Sequence, residues 1–218
     1  MSTQQQAAVD KPKINELNKF NIFTECPGNP GKRSKLVWSI RDGAPRVTVY
    51  TNDPNDKVSY GIISAPMNPE TFFIFLDSFE KIAKGSETNI KVKIDCFTSK
   101  RNPDGTSTNE KILLSELWFG KDEKGIIWIS IVAQNRPKIR FDFTVSDWHK
   151  FYKPDGGQMS AHEASMLQAI ATVNAIRNIY YQLVNDFKQY GNSKGGQSTT
   201  NSDSNGATTM NLETDIPF

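Results

Sequence analysis

The sequence predicts a mixed α+β fold, mainly β, and three observations carry that prediction. Short runs of alternating polarity fill the first two thirds of the chain, the period of half-buried strands. Two stretches instead repeat their apolar residues at helical spacing, one between the middle strands and one after the last. The final 28 residues lack the apolar content to build anything.

Eight strands are expected, at Phe20 to Cys26, Lys35 to Arg41, Arg46 to Asn52, Lys57 to Ser64, Asn89 to Ser99, Glu110 to Phe119, Gly125 to Ala133 and Lys138 to Thr144. Turn chemistry separates them: Asp42-Gly43 with Pro45, Asn52-Asp53-Pro54, Asn102-Pro103-Asp104-Gly105, Lys121 to Gly125, and Asn135-Arg136-Pro137. The first helix opens with Asn68 as N-cap and Pro69 at its first position. It presents Phe72, Phe75, Leu76, Phe79 and Ile82 on one face and stops at Gly85. The second opens on a capping box, Ser160-x-x-Glu163, and carries a stripe from Met166 through Ile170, Val173, Ile176, Tyr180 and Leu183 to Phe187. A helix of about 30 residues is roughly 45 Å long, more than the width of one small barrel. It is therefore expected to pack partly on the barrel and partly elsewhere, such as on a second subunit. No internal repeat is apparent. An all-β body with a helix between its middle strands fits an OB-like barrel, elaborated with extra strands, an inserted helix and a long C-terminal helix.

The expected organisation is a flexible N-terminal arm (1–18), an OB-like barrel (19–158), a C-terminal helix packed on the barrel or at an oligomer interface (159–190), and a disordered acidic tail (191–218). The 218 residues carry a net charge of +2 and a mean hydropathy of −0.53. Divided along these boundaries the charge is 0 for the arm, −2 for the tail and +4 for the body. No apolar run approaches the roughly 18 residues of a membrane span. The Gln-rich, uncharged start has neither the basic nor the apolar region of a secretory signal, so a cytoplasmic location is expected. Cys26 and Cys96 stand 70 positions apart outside any metal-ligand spacing and read as two reduced and partly buried thiols.

Catalytic signatures are missing. His149 and His162 sit in no metal or nucleophile pattern, and there is no phosphate-cradling or dinucleotide-binding glycine motif. Asp142 and Asp147 could be imagined holding magnesium for a nuclease, although solvation explains them better. The expectation is a protein that is not an enzyme and needs no cofactor.

The aromatic residues, 23 of 218, are more telling, because several fall on the polar phase of their strands. In Arg46-Val47-Thr48-Val49-Tyr50 the valines claim the core, which turns Arg46, Thr48 and Tyr50 outward. Ile127, Ile129 and Ile131 likewise leave Trp128 with Ser130 on the opposite face. Lys91 and Lys93, and Lys138 and Arg140, point outward by the same alternation. Trp38 shares its phase with Leu36 and Ile40, which leaves its side open. Outward aromatics interleaved with cations suit single-stranded nucleic acid, since every base has a face to stack and every phosphate a charge to neutralise. The alternative is that a second layer such as the long helix covers that face and makes these aromatics core. The candidate DNA-binding residues are Trp38, Arg46, Tyr50, Lys91, Lys93, Trp128, Lys138 and Arg140.

The chain ends in Asp215-Ile216-Pro217-Phe218 after a Gly/Ser/Asn-rich stretch, with Glu213 just before. Apolar residues closing a polar tail have no core to join. They suit an apolar pocket on a partner, rimmed by Arg or Lys that meets the acids and the terminal carboxylate. This ending resembles the acidic tip of bacterial and phage single-stranded DNA-binding proteins, and the body is more similar to the divergent phage versions. The resemblance implies sequence-independent binding of single strands in phage replication, recombination or repair, within the bacterial host cytoplasm. It further implies that Asp215, Ile216, Pro217 and Phe218 recruit replication or recombination proteins. The tail departs from the family in having only three acids, widely spread. An RNA-binding or strand-annealing protein on the same fold, and a magnesium-dependent nuclease, are the competing readings.

Overall fold

The computed structural model describes residues 19–186, apart from 42–43, 103 and 147. The expected arm, the expected tail with its tip, and Phe187 and Asp147 lie outside the described residues. All eight expected strands form: β1 (Ile22–Glu25), β2 (Arg33–Arg41), β3 (Ala44–Tyr50), β4 (Ile62–Pro66), β5 (Ile90–Arg101), β6 (Ser107–Lys121), β7 (Ile127–Val132) and β8 (Ile139–Asp142). The helices are α1 (Pro69–Lys84), between β4 and β5, and α2 (Ala161–Asp186), after β8. The protein is thus mainly β with helices. None of the described helices is long and apolar enough to cross a membrane.

The strands assemble as two antiparallel four-stranded sheets, ordered β1-β2-β3-β4 and β5-β6-β7-β8. These are open meanders where a single closed barrel was expected. The two sheets meet without a shared ladder, β1 lying against β8 and β4 against β6 and β7. There the carbonyl of Ser64 accepts from the Ser115 side-chain hydroxyl at 2.7 Å, a link that needs no shared backbone ladder. Four strands and a helix, repeated once, describe the whole body, a repeat in architecture that the sequence does not display.

One difference lies in the strand expected from Lys57. Its first half is a 3-10 turn, Val58–Gly61, in which Ser59, Tyr60 and Gly61 all have positive φ (48°, 55° and 74°). Only from Ile62 does the chain become a strand.

Period-two alternation sends Leu36, Trp38, Val47, Val49, Ile63 and Ala65 of the first sheet inward, with Leu117, Phe119, Ile129, Ile131, Ile139 and Phe141 of the second; all are buried. α1 fills the space between them with Phe72, Phe75 and Phe79. Phe75 stacks on Trp38 at 5.9 Å and meets Phe119 edge-on at 5.0 Å, while Phe79 reaches Phe143 at 5.1 Å and Phe72 reaches Tyr180 of α2 at 5.2 Å. Both helix starts form as the sequence implies. Asn68 Oδ1 accepts from the Thr71 N–H at 2.8 Å, and Glu163 accepts from the Ser160 N–H at 2.9 Å. The end of α1 is closed by a buried lysine: Lys121 Nζ donates to the carbonyls of Ala83 and Gly85, and burial pushes its pKa down.

Candidate nucleic-acid interface

Both helices pack on the inner side; the outer face of the second sheet is open at Lys91, Lys93 and Arg140, that of the first is buried at Val37 and Thr48, and strand register fixes what each presents. On the second sheet, one row across the strands reads Lys93, Trp118, Ser130, Arg140, and the next reads Lys91, Gly120, Trp128, Asp142. Two indoles therefore share a face with three cations. Lys93 Nζ lies 5.7 Å and Lys91 Nζ 6.0 Å from the centre of the Trp118 ring, and the Arg140 guanidinium lies 5.4 Å from that of Trp128. Lys138, just before β8, is exposed as well. Gly120 lies between Lys91 and Trp128 for a steric reason, since a Cβ there would come within 2.0 Å of the Ile90 carbonyl oxygen.

Carboxylates hold this face in register. Lys93 pairs with Asp95 at 3.0 Å and Glu116 at 3.1 Å, and Arg140 pairs with Asp122 and Asp142. Trp118 Nε1 donates to Glu116 at 3.0 Å, which orients the ring. That hydrogen bond and the one from Lys93 hold the Glu116 carboxyl below its usual range, and the bonds to Asp95 and Glu116 raise Lys93. Asp142, the imagined metal ligand, is thus the partner of Arg140.

The outer face of the first sheet carries a smaller row, Phe23, Lys35, Tyr50, Ile62. Phe23 and Tyr50 are exposed, and Lys35 Nζ lies 6.0 Å from the Phe23 ring centre. Arg46 stands on the same face between Ser39 and Pro66 and is half-buried.

Of the residues singled out from the sequence, Lys91, Lys93, Trp128, Lys138 and Arg140 come together on the second sheet, and Arg46 and Tyr50 lie on the first. Trp38 belongs to neither. Its ring is completely buried against Phe75, so the open question of its side resolves toward the core and it is withdrawn as a stacking residue. Trp118, Phe23 and Lys35 are additions. Trp118 carried the same signal as Trp128, since Leu117 and Phe119 take the core phase and Glu116 marks the outer one. No family model, curated protein or solved structure matches the chain.

Proposed function

We propose that the protein is a non-catalytic, sequence-independent single-stranded DNA-binding protein that coats and protects strands during replication, recombination and repair. The observation that carries this reading is the pair of half-buried indoles, Trp118 and Trp128, on an uncovered sheet face framed by Lys91, Lys93 and Arg140. An indole fixed by its own hydrogen bond offers a base a preset plane, and stacking is worth roughly 1–3 kcal/mol per base. The cations beside the rings would follow the phosphates. The row Phe23, Lys35, Tyr50 would extend the track. Through the resemblance of the chain's ending, Asp215, Ile216, Pro217 and Phe218 would recruit partner proteins of a phage replication system.

The test is quenching of tryptophan fluorescence by oligo-dT across a salt series. The logarithm of affinity is expected to fall with that of salt, with a slope of about 0.7 per phosphate neutralised. Trp118→Ala and Trp128→Ala are each expected to weaken binding roughly fivefold to a hundredfold, the range of one lost stack. Absence of quenching and of any retained complex at low salt would refute the proposal. Stronger competition by RNA of equal length would reassign the protein to RNA.

A further inference from the structure

A second aromatic and basic surface lies away from the sheet faces, in the loop joining β8 to α2. Trp148, His149, Lys150, Phe151, Tyr152 and Lys153 are consecutive, and Trp148 is 91% exposed, Phe151 50% and Tyr152 62%. Three rings left in water beside cations are costly unless something covers them. The loop is nevertheless built firmly. The Met159 N–H donates to the Phe151 carbonyl at 2.9 Å and the Lys153 N–H to that of Gly157 at 2.7 Å, making a small hairpin. Lys153 Nζ then pairs at 2.9 Å with Glu163, the residue that caps α2.

Between this loop and α2 runs a cleft of about 460 Å³, lined by Val145, His149, Phe151, Met159, Leu167 and Gln168 among others. Its walls are mostly apolar, and Lys150 lines its adjoining mouth.

We propose that this cleft receives an unstacked nucleobase of the bound single strand. The occupant must bring an apolar body to these walls and a negative charge to Lys150 and His149, and a nucleobase attached to its phosphate in a strand does both. Phe151, Met159 and Leu167 cover its faces, and Lys150 and His149 meet the adjoining phosphate. The inference rests on the single-strand reading above, to which it adds a separate site.

The test uses the full chain and an oligo-dT strand carrying one 5-iodouracil, photo-crosslinked and mapped by mass spectrometry. Crosslinks at His149, Phe151 or Met159 are expected, in addition to those at Trp118 or Trp128. Leu167→Trp, which fills the cleft from an exposed helix position, and the double variant Trp148→Ala/Phe151→Ala are each expected to weaken oligo-dT binding at least roughly fivefold, the loss of one stacked base, without changing the salt slope. Wild-type affinity in both variants with crosslinks confined to the sheet faces would overturn the cleft and leave the proposed function standing. Failure of the wild-type chain to bind the strand would overturn both. Binding of anionic lipid vesicles through Trp148 with no crosslink in 145–159 would assign the surface to a membrane and overturn the nucleobase site.

Discussion

Asp56 and Arg136 form the most enclosed ion pair among the described residues, with side chains 2% and 6% exposed. The contact is bidentate, at 2.6 and 3.0 Å, and both partners have further bonds: Thr51 Oγ1 donates to Asp56 at 2.9 Å and Arg136 donates to the Ile62 carbonyl at 2.7 Å. The pair thereby ties down the segment whose residues 59–61 sit in the left-handed region, where a non-glycine residue is held only if its surroundings insist. The Arg136 hydrogen bonds hold the Asp56 carboxyl below its ordinary value of 3.8, against the opposing effect of burial. Since the folded pKa is the lower one, the pair stabilises the fold above the ordinary value, and that contribution is lost as pH falls through the depressed one. Asp56→Asn strands a buried guanidinium and is expected to cost about 3–5 kcal/mol, read as a fall in thermal midpoint. A loss under about 1 kcal/mol would show that the pair is dispensable. Neither residue announces this role in the sequence, because the two are 80 positions apart and each sits in a turn, where charge is ordinary. Trp128 was legible because Ile127, Ile129 and Ile131 set its phase. Trp38 was legible on the same ground, since Leu36 and Ile40 share its phase while Lys35, Ser39 and Arg41 take the other and only Val37 interrupts that polar side.

Elements were more legible than single residues, since each is set by many side chains at once. The strands were readable from alternation, and both helix starts from caps. The half-turn at Val58–Gly61 was not, because its left-handed residues include Ser59 and Tyr60, which carry no such signature. The run from Trp148 to Lys153 escaped for a different reason: alternation identifies outward aromatics only within strands, and this is a loop. For α2, the capping box makes a pH prediction. Hydrogen bonds from Ser160, and then from Lys153, hold the Glu163 carboxyl at about 2, down from an ordinary 4.5. Its contribution to the helix start is therefore complete above pH 4.5 and fades toward pH 2. Titration of the Glu163 carboxylate by NMR is expected to show a midpoint well below 4, and a midpoint near 4.5 would mean the box is open in solution.

At the scale of the whole molecule, two of the cations on the candidate face already have carboxylate partners. The body carries only +4, and on the candidate face Lys93 and Arg140 face Asp95, Glu116, Asp122 and Asp142. Phosphates would have to displace carboxylates, which makes binding more sensitive to local pairing than to overall charge. Asp95→Asn removes one carboxylate from Lys93 at an exposed position. It is expected to raise oligo-dT affinity a few-fold at low salt, an advantage that shrinks as salt screens it. Unchanged affinity in a fluorescence titration would remove Lys93 from the phosphate track. The shared aromatic column of α1 has another consequence. Phe75 touches Trp38 of the first sheet and Phe119 of the second, and Phe72 touches Tyr180 of the final helix. The two ββββα halves therefore possess one interior between them, and neither can close its hydrophobic surface without the other. A chain cut between Gly85 and Asn89 would yield fragments that gain structure only on meeting, and the intact body should melt as one cooperative unit in spite of its doubled plan.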